Sequence, residues 1–345
     1  MNKIKAIGLL SGGLDSTLAC TIMKAEGIDT IAVNCSTGFC ISDHRRKIQR
    51  KKDIGKNLSN PALHAAAQLK IPIEIIDISK EYLQVVFNPK HGYGNAVNPC
   101  IDCRILMLKT AKYLAEKIDA KFIFTGEVLG QRPMSQYRAT LKLIEKESKL
   151  EGLLLRPLSA KLLDETIPEK QKWVNRENLY DIQGRSRKIQ IELAKKYGIS
   201  HYPSPAGGCC VLVDKNYASK FKDLIKYKPK DSISLEDLLL LKVGRHFRIN
   251  PNLKIIVGRE ESENNFLLLY SKNRHVFKTK DFPGAIVLAK GNVDAENEKL
   301  ISQIAAYFSD AKSLSSVSIL HYYENNTNLV EVAPIKETEF KKWKI

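Results

Sequence analysis

A stretch near the N-terminus has the residue types and spacing of a phosphate-binding turn. Residues 6–10 are apolar, and residues 11–16 (SGGLDS) lead from them into a helical pattern over 17–25. Glycines let a ligand approach the backbone, hydroxyls donate hydrogen bonds, and a helix N-terminus presents free N–H groups, so the turn suits a pyrophosphate. Asp15 would repel a phosphate unless a cation lies between them, which predicts bound Mg²⁺. The candidate nucleotide-binding residues are Ser11, Gly12, Gly13, Asp15, Ser16 and Thr17.

Four of the seven cysteines stand where metal or sulfur chemistry is expected. Cys100 and Cys103 have a spacing at which both thiolates can bind one metal centre, and the helix they enter, with Arg104, should lower the pKa of both thiols. Cys209 and Cys210 follow a Gly-Gly pair about a hundred residues later. Cys-x-x-Cys alone fits a redox pair, zinc or an iron–sulfur cluster. No histidine stands at the spacing typical of zinc fingers, so a closed structural zinc site is not favoured.

The charge of the chain favours a polyanionic partner. The 345 residues include 55 Lys and Arg against 38 Asp and Glu, a net charge of +17. Residues 44–56 (HRRKIQRKKDIGK) hold seven of these basic residues and one acid, without an aromatic residue. This pattern predicts contact with a phosphate backbone rather than with bases. The candidate RNA-binding residues of the segment are Arg45, Arg46, Arg50 and Lys51.

Hydropathy predicts no membrane segment and no export. No apolar run approaches the about 18 residues of a membrane-spanning helix. The apolar run at the N-terminus is too short for a signal peptide. We therefore expect a cytoplasmic protein without membrane contact.

Strand-like and helical patterns alternate in the first half of the chain. Strands are predicted at 6–10, 30–34, 73–78 and 122–125, with helices between them at 61–69 and 104–118 and a later helix at 189–197. Residues 153–163 predict a further strand and the start of a helix. Such alternation is typical of an α/β fold with a doubly wound parallel sheet, whose ligand lies at the carboxyl ends of the strands.

The composition changes in the second half. Residues 216–241 are helical with a Lys-Pro-Lys-Asp break, and after them come β-like runs at 253–257, 266–270, 285–289 and 317–321 and a helix at 296–308. We expect a smaller C-terminal α+β domain. The predicted division is a catalytic domain over 1–222, a helical connection over 223–241 and an RNA-binding domain over 242–345.

Ser-Gly-Gly-x-Asp-Ser at the first strand–helix turn resembles the PP-loop ATP pyrophosphatases, a family with the adenine nucleotide alpha hydrolase-like fold. The resemblance implies cleavage of ATP to AMP and pyrophosphate and adenylation of a substrate oxygen. It also implies that Gly126 and Gln131, after the fourth strand, hold the nucleotide. Basic residues stabilise a leaving pyrophosphate, for which Arg156 and Lys161 are the candidates; the stretch 181–188 supplies further cations or only caps a helix.

The C-terminal region resembles the RNA-associated domain of the NFACT family. The resemblance rests on residues 254–265 (KIIVGREESENN) and 277–284 (FKTKDFPG), and it departs at Glu260, where an asparagine is usual. It implies RNA binding, for which Arg245 and Arg248 are candidates, although a structural docking domain remains an alternative.

The PP-loop motif, Asn98-Pro-Cys-x-x-Cys and the distant cysteines together resemble the tRNA thiouridine synthetases. In one chemistry of that family a cysteine persulfide delivers sulfur, for which Cys103 and Cys209 would suffice. In the other, three cysteines hold a [4Fe–4S] cluster: here Cys100, Cys103 and Cys209, with Cys210 as the alternative third ligand. The predicted activity is ATP-dependent thiolation of a tRNA uridine through the cluster.

The expected cofactors are ATP, Mg²⁺ and the cluster, and the expected partners are tRNA and a sulfur donor, either sulfide or a cysteine desulfurase. The alternatives are the persulfide route and an RNA-binding factor of ribosome quality control that does not thiolate. The carbon that receives sulfur, C2 or C4, stays open at this point.

Overall fold

The computed structural model describes residues 3–41, 48, 60–203 and 209–345, and the chain separates into two compact units. Among the described residues the first unit comprises 3–41, 60–203 and 209–213, and the second comprises Ile48 and 214–345. No helix among these residues is long and apolar enough to span a membrane.

The first unit contains a parallel sheet of five strands in the order β3-β2-β1-β4-β5. The strands are β1 (Lys5–Leu9), β2 (Asp29–Ser36), β3 (Ile73–Asp77), β4 (Phe122–Thr125) and β5 (Leu154–Leu155). The helices are α1 (Leu14–Ala25), α2 (Pro61–Leu69), α3 (Ser79–Phe87), α4 (Cys100–Lys117), α5 (Arg138–Ser148), α6 (Ile167–Lys170) and α7 (Lys188–Lys196). The predicted doubly wound α/β fold is confirmed.

Alternation along the central strands gives the sheet two apolar faces. Ala6 and Phe124 join a core with α1, α2 and α7, whereas Ile7 and Ile123 join a second core with α4. Strand order reverses beside β1, because the chain runs from β1 through β2 to β3 and then returns to β4 on the other side. The carboxyl ends of β1 and β4 are therefore neighbours, and such a reversal point is where open α/β sheets bind ligands.

The second unit is built on an antiparallel sheet of six strands in the order β11-β10-β8-β9-β7-β6. The strands are β6 (Arg245–Asn250), β7 (Leu253–Val257), β8 (His275–Thr279), β9 (Val287–Gly291), β10 (Val317–Tyr323) and β11 (Asn326–Val332). The helices are α8 (Lys215–Tyr227), α9 (Leu235–Leu240), α10 (Glu261–Leu268), α11 (Ala295–Tyr307) and α12 (Glu337–Phe340).

Two local predictions are wrong. Residues 266–270, predicted as β-like, form the end of α10 and a turn. Phe266 and Leu267 are buried on the inner side of this helix. In 153–163 the strand has only two residues, and a 3₁₀ turn at Ala160–Leu162 replaces the expected helix. Short apolar runs do not distinguish these conformations by periodicity.

Candidate active site

The turn after β1 is held by close backbone packing and by its own hydroxyls. Gly12 has a φ of +76°, and a Cβ on it would lie 2.2 Å from the carbonyl carbon of Pro61 at the start of α2. The Ser11 and Ser16 hydroxyl oxygens are 3.1 Å apart, and the Ser16 and Thr17 hydroxyls each donate to the Gly13 carbonyl at 3.0 Å. This packing fixes the turn and leaves the first N–H groups of α1 for a ligand.

Gly126 brings the end of β4 against the same turn. A Cβ on Gly126 would lie 2.4 Å from the carbonyl carbon of Asp15 and 2.5 Å from the Ser16 nitrogen. Real Cβ atoms do not approach backbone so closely, so only glycine fits here. The structure thus brings Gly126 to the loop, as the sequence predicted.

Asp15 connects the loop to residues that follow β4 and to the segment before α7. The Gln131 amide nitrogen donates to Asp15 Oδ2 at 2.8 Å, and the Arg187 guanidinium lies 3.5 Å from the same oxygen. Gln190, fully buried on α7, donates to Gln131 Oε1 at 3.3 Å and so orients its amide. Asp15 Oδ1 is buried and has no hydrogen-bond partner among the described residues. An unpartnered carboxylate oxygen beside a helix N-terminus fits a Mg²⁺ ion that carries ATP phosphates.

The structure does not bring Arg156 or Lys161, the two cations predicted to stabilise the leaving pyrophosphate, to the loop. Arg156 is 2% exposed and is paired with Glu127 and Glu145, so its charge is already neutralised. Lys161 donates to the Glu177 carbonyl at 2.9 Å and lines a cleft with Ala25 at the far end of α1, about 17 Å of helix from the loop. Arg187, from the stretch 181–188, occupies the position expected of such a cation.

The candidate thiols gather at the same edge of the sheet. Cys100 and Cys103 lie in the first turn of α4, which begins on the side where the strands end. Cys210 pairs with Cys40 as an isolated antiparallel bridge beyond the end of β2, and the Ile41 N–H donates to the Cys209 carbonyl at 3.3 Å. Cys209 is exposed and Cys210 is buried. Because Cys209 is exposed and Cys210 is buried, Cys209 is the more accessible thiol of the two.

Electrostatics separates Cys209 from the thiols of α4. A hydrogen bond from Cys210, together with the cations Arg132 and Arg104, lowers the pKa of Cys209 below the ordinary value of a thiol. Burial, together with the negative charge of Cys209, raises the pKa of Cys103 to about 12. Burial also raises the pKa of Cys100. The expectation that the helix and Arg104 lower the pKa of both α4 thiols is therefore wrong, because desolvation outweighs the cation.

A buried carboxylate connects the nucleotide side to the cysteine helix. Glu127 follows β4, is 2% exposed, and pairs with Arg104 of α4 at 3.3 Å and with Arg156 at 3.1 Å. Burial opposes ionisation, but the two guanidinium groups hold the pKa of Glu127 below its ordinary value. The end of β4 thus fixes the first turn of α1 through Gly126 and the first turn of α4 through Glu127.

The donor chemistry of the thiols is compatible with an iron–sulfur cluster. Cys100, Cys103 and Cys209 are close enough for the charge of one thiolate to shift the pKa of the others, and the Asn98 amide donates to Cys100 Sγ at 3.1 Å. No three His, Cys, Asp or Glu side chains of the described residues converge on one point that could hold a single metal ion. A cluster binds its thiolates through different iron atoms and does not need such convergence.

The predicted RNA-binding residues fall into three places. Arg45, Arg46, Arg50 and Lys51 lie outside the residues that the structure describes. Arg248 pairs with Asp223 at 2.7 Å, whereas Arg245, three positions earlier on β6, stacks its guanidinium 5.1 Å from the Phe308 ring. An odd spacing along a strand directs two side chains to opposite faces, so Arg245 and Arg248 cannot contact one RNA segment together.

Sequence reasoning missed three residues of this site. Gln190 and Glu127 are buried polar residues whose partners lie far away in the sequence, and Arg104 was considered only as a neighbour of Cys103. A signal for Gln190 was present, because a glutamine on the apolar face of a helix needs a polar partner.

Family comparisons agree with this architecture. Residues 4–198, more than half of the chain, match the family model described as "tRNA methyl transferase HUP domain", and the chain belongs to that family. Residues 244–344 match the model of the "NFACT protein RNA binding domain". Both resemblances predicted from the sequence, to the PP-loop enzymes and to the NFACT domain, are confirmed.

Similar proteins include enzymes that modify tRNA. The tRNA-specific 2-thiouridylase MnmA of Malacoplasma penetrans is 24% identical over 95% of this chain and 84% of its own length. The corresponding enzyme of Bartonella quintana is 27% identical over 40% of this chain and 34% of its length. A probable tRNA sulfurtransferase of Thermococcus kodakarensis is 28% identical over 45% of this chain and 36% of its length. The chain thus spans only about a third of two of these relatives.

Proposed function

We propose that this protein thiolates a uridine of tRNA in an ATP-dependent reaction. The observation that carries the proposal is the placement of a nucleotide loop and a set of thiols at one edge of one sheet, joined by Glu127. A phosphate-binding loop alone serves many reactions. Its combination with an exposed low-pKa thiol and two further cysteines is what sulfur transfer after adenylation requires.

The first step is activation of the uracil oxygen. That oxygen attacks the α-phosphorus of ATP, pyrophosphate leaves, and the base carries an AMP ester. The N–H groups at the start of α1 bind the phosphates, and Gln131 orients Asp15, which would hold a Mg²⁺ ion that neutralises phosphate charge. Arg187 takes the role of stabilising the leaving pyrophosphate, for which the sequence offered Arg156 and Lys161 as candidates.

The second step is attack of sulfur on the activated carbon, with AMP as the leaving group. Cys209 is the exposed thiol of the set, and Cys210 holds it by a hydrogen bond. When bound by Cys100, Cys103 and Cys209, a [4Fe–4S] cluster would supply an open iron position as Lewis acid and sulfur carrier. Arg104 and Arg132 place positive charge beside the thiols, which favours an anionic sulfur species.

The names of the relatives favour C2 as the position of thiolation. Two of the similar proteins are described as tRNA-specific 2-thiouridylases. The test is incubation of unmodified tRNA with the protein, ATP and Mg²⁺, in parallel with sulfide and with a cysteine desulfurase, cysteine and a thiol reductant, followed by mass analysis of the nucleosides. We expect 2-thiouridine, whereas 4-thiouridine would move the reaction to the other carbon and no thionucleoside would overturn the proposal.

The persulfide route is the second candidate, and the exposure of Cys209 favours it as well. In that route a cysteine desulfurase transfers sulfur to Cys209 as a persulfide. The Cys103 thiolate then attacks the Cys209 sulfur, which releases sulfide to the activated carbon and leaves a Cys103–Cys209 disulfide for an added thiol to reduce, so Cys100 has no required role. Thiolation is assayed with a cysteine desulfurase, cysteine and a thiol reductant as the sulfur source, and comparing protein reconstituted with iron and sulfide against protein stripped of iron separates the two. Thiolation that follows iron content and is lost on Cys100→Ala supports the cluster, whereas full activity of iron-free protein supports the persulfide.

A further inference from the structure

The second unit contains a cavity that the proposed reaction does not use. Its volume is about 290 Å³, near the lower end of the range of small-molecule sites. It lies between one face of the sheet and α8 and α9, which contribute Leu224 and Leu240 to its lining. A cavity of this size suits one planar group with a short polar tail.

One row of the sheet gives the cavity an apolar wall. The strand register aligns His246 with Ile256, and Ile256 with Leu288. All three residues line the cavity, and because directly opposed residues point to the same face, they form one continuous surface. His246 is 1% exposed and therefore belongs to this wall rather than to the outer surface.

The next row on the same face is cationic. Arg248 aligns with Lys254 and Lys254 with Lys290, while Arg274 lies two residues before β8 Val276, the partner of Leu288. Asp223 pairs with Arg248 and Lys254, Asp237 with Lys228 and Lys290, and Glu236 with Arg274. Five cations thus face three carboxylates, and the cavity keeps an excess of positive charge.

Two buried polar atoms of the lining have no partner among the described residues: His246 Nδ1 and Arg274 Nε. His246 Nε2 lies 2.8 Å from the Val243 carbonyl, which can only accept, so Nε2 carries the proton. Burial holds the pKa of His246 well below its ordinary value, so the ring is neutral and Nδ1 is an acceptor. The lining therefore offers one unused acceptor and one unused donor.

We propose that this cavity binds one nucleotide of single-stranded RNA, with the base against Ile256 and Leu288 and the phosphate at Lys290 and Lys228. A base edge carries both donors and acceptors, which His246 Nδ1 and Arg274 Nε can satisfy, and its ring fills an apolar slot. Lys290 is 51% exposed, so its ammonium reaches solvent where the RNA backbone would run. An acidic peptide would use the cations but leave the apolar wall and the two unpaired atoms unmatched.

This inference rests on the proposed function only in taking RNA as the ligand. The test measures binding of a fluorescent single-stranded pentanucleotide to the full chain by anisotropy. Lys290→Ala should weaken binding about fivefold and lower the salt dependence, since it removes a phosphate contact. The matched control is Lys299→Ala, because Lys299 is exposed on α11, which packs on the other face of the sheet. It should change affinity less than twofold.

A second measurement uses the unaltered protein and so avoids any folding defect. The same pentanucleotides are compared after removal of one base at each position in turn. Loss of one base should weaken binding at least about fivefold, the effect of one stacked base. Photo-crosslinking of a 4-thiouridine pentanucleotide should label a peptide of the cavity lining.

Other outcomes overturn the proposal. Equal binding by intact and abasic RNA would reduce the cavity to a phosphate contact, and displacement by polyglutamate as efficient as by RNA would assign it to an acidic peptide. Free uridine monophosphate that binds as tightly as the pentanucleotide would make it a site for the mononucleotide rather than for RNA. If pentanucleotide binding fails while tRNA thiolation is intact, this inference alone fails; absence of thiolation contradicts the proposed function instead.

Discussion

The nucleotide loop and the thiol set share one edge of the first unit but are held in different ways. The loop is fixed by backbone-to-backbone packing at Gly12 and Gly126, where any larger residue would collide with main chain. The thiols of α4 are held by side-chain contacts, among them Asn98 to Cys100, and by the pairing of buried Glu127 with Arg104, whereas Cys209 and Cys210 are joined to the segment after β2 by backbone hydrogen bonds. In the proposed reaction the loop binds the phosphates of ATP, whereas the thiols take up and release sulfur.

The comparison predicts that loop variants lose both steps of the reaction and that thiol variants lose only the second. Asp15→Asn should have the largest effect, lowering pyrophosphate release about 1,000-fold, because the cation loses its carboxylate ligand. The affinity for tRNA should stay unchanged. Pyrophosphate release with tRNA present is the measurement, and Asp29→Asn, at the opposite edge of the sheet, is the control. Unchanged turnover in Asp15→Asn would remove Asp15 from the mechanism.

Gly126→Ala tests whether backbone packing positions the loop. The added Cβ would lie 2.4 Å from the Asp15 carbonyl carbon and must displace the first turn of α1. A displacement of about 1 Å at a reacting centre lowers the rate about 100-fold. Gly27→Ala is the control, since nothing lies within 4 Å of a Cβ there and the strain from its φ of +79° is confined to the turn after the far end of α1. Equal rates of pyrophosphate release in the two variants would show that the close approach has no catalytic consequence.

Arg187→Ala distinguishes the cation found at the loop from the one predicted by sequence. We expect about a tenfold loss of pyrophosphate release, on the order of 1.4 kcal/mol of transition-state stabilisation, because Arg187 contacts Asp15 Oδ2. Arg185→Ala, two residues earlier and exposed, and Lys161→Ala should both leave the rate within about twofold. A larger loss in Lys161→Ala than in Arg187→Ala would restore the original assignment.

Glu127→Gln tests the link between the two regions through stability. Removing the carboxylate leaves Arg104 and Arg156 without their shared partner, which should lower the free energy of unfolding by about 3 kcal/mol at neutral pH. The folded-state pKa of Glu127 lies below its ordinary value of 4.5, so this stabilisation is present above pH 4.5 and disappears as the pH falls through the folded pKa. Urea unfolding of both proteins between pH 7 and acid measures it, and a constant difference across that range would contradict the ion-pair explanation.

Sequence reasoning succeeded where local patterns determine structure. The strand, glycine turn and helix at 6–25 are contiguous, and Pro61–Leu69 and Leu253–Val257 have the predicted bounds. It failed where a residue's contacts are made with residues far away in the sequence. Gly126 was assigned by resemblance, but the reason that glycine is required there is its contact with Asp15, which depends on the order of the strands. The pairing of Glu127 with Arg104 depends on strand order as well. The pKa of Cys103 depends on burial, which a motif does not report.

The most direct test of the account measures both products in one reaction. Unmodified tRNA is incubated with ATP, Mg²⁺ and sulfide, and pyrophosphate and 2-thiouridine are quantified together for Cys209→Ala, with Cys20→Ala as the control because Cys20 is buried behind Gly8 of β1. We predict that Cys209→Ala forms pyrophosphate at close to the unaltered single-turnover rate but no 2-thiouridine, whereas Cys20→Ala forms both. Normal 2-thiouridine formation by Cys209→Ala, or loss of pyrophosphate formation in parallel with it, would contradict two separable steps at one edge of the sheet.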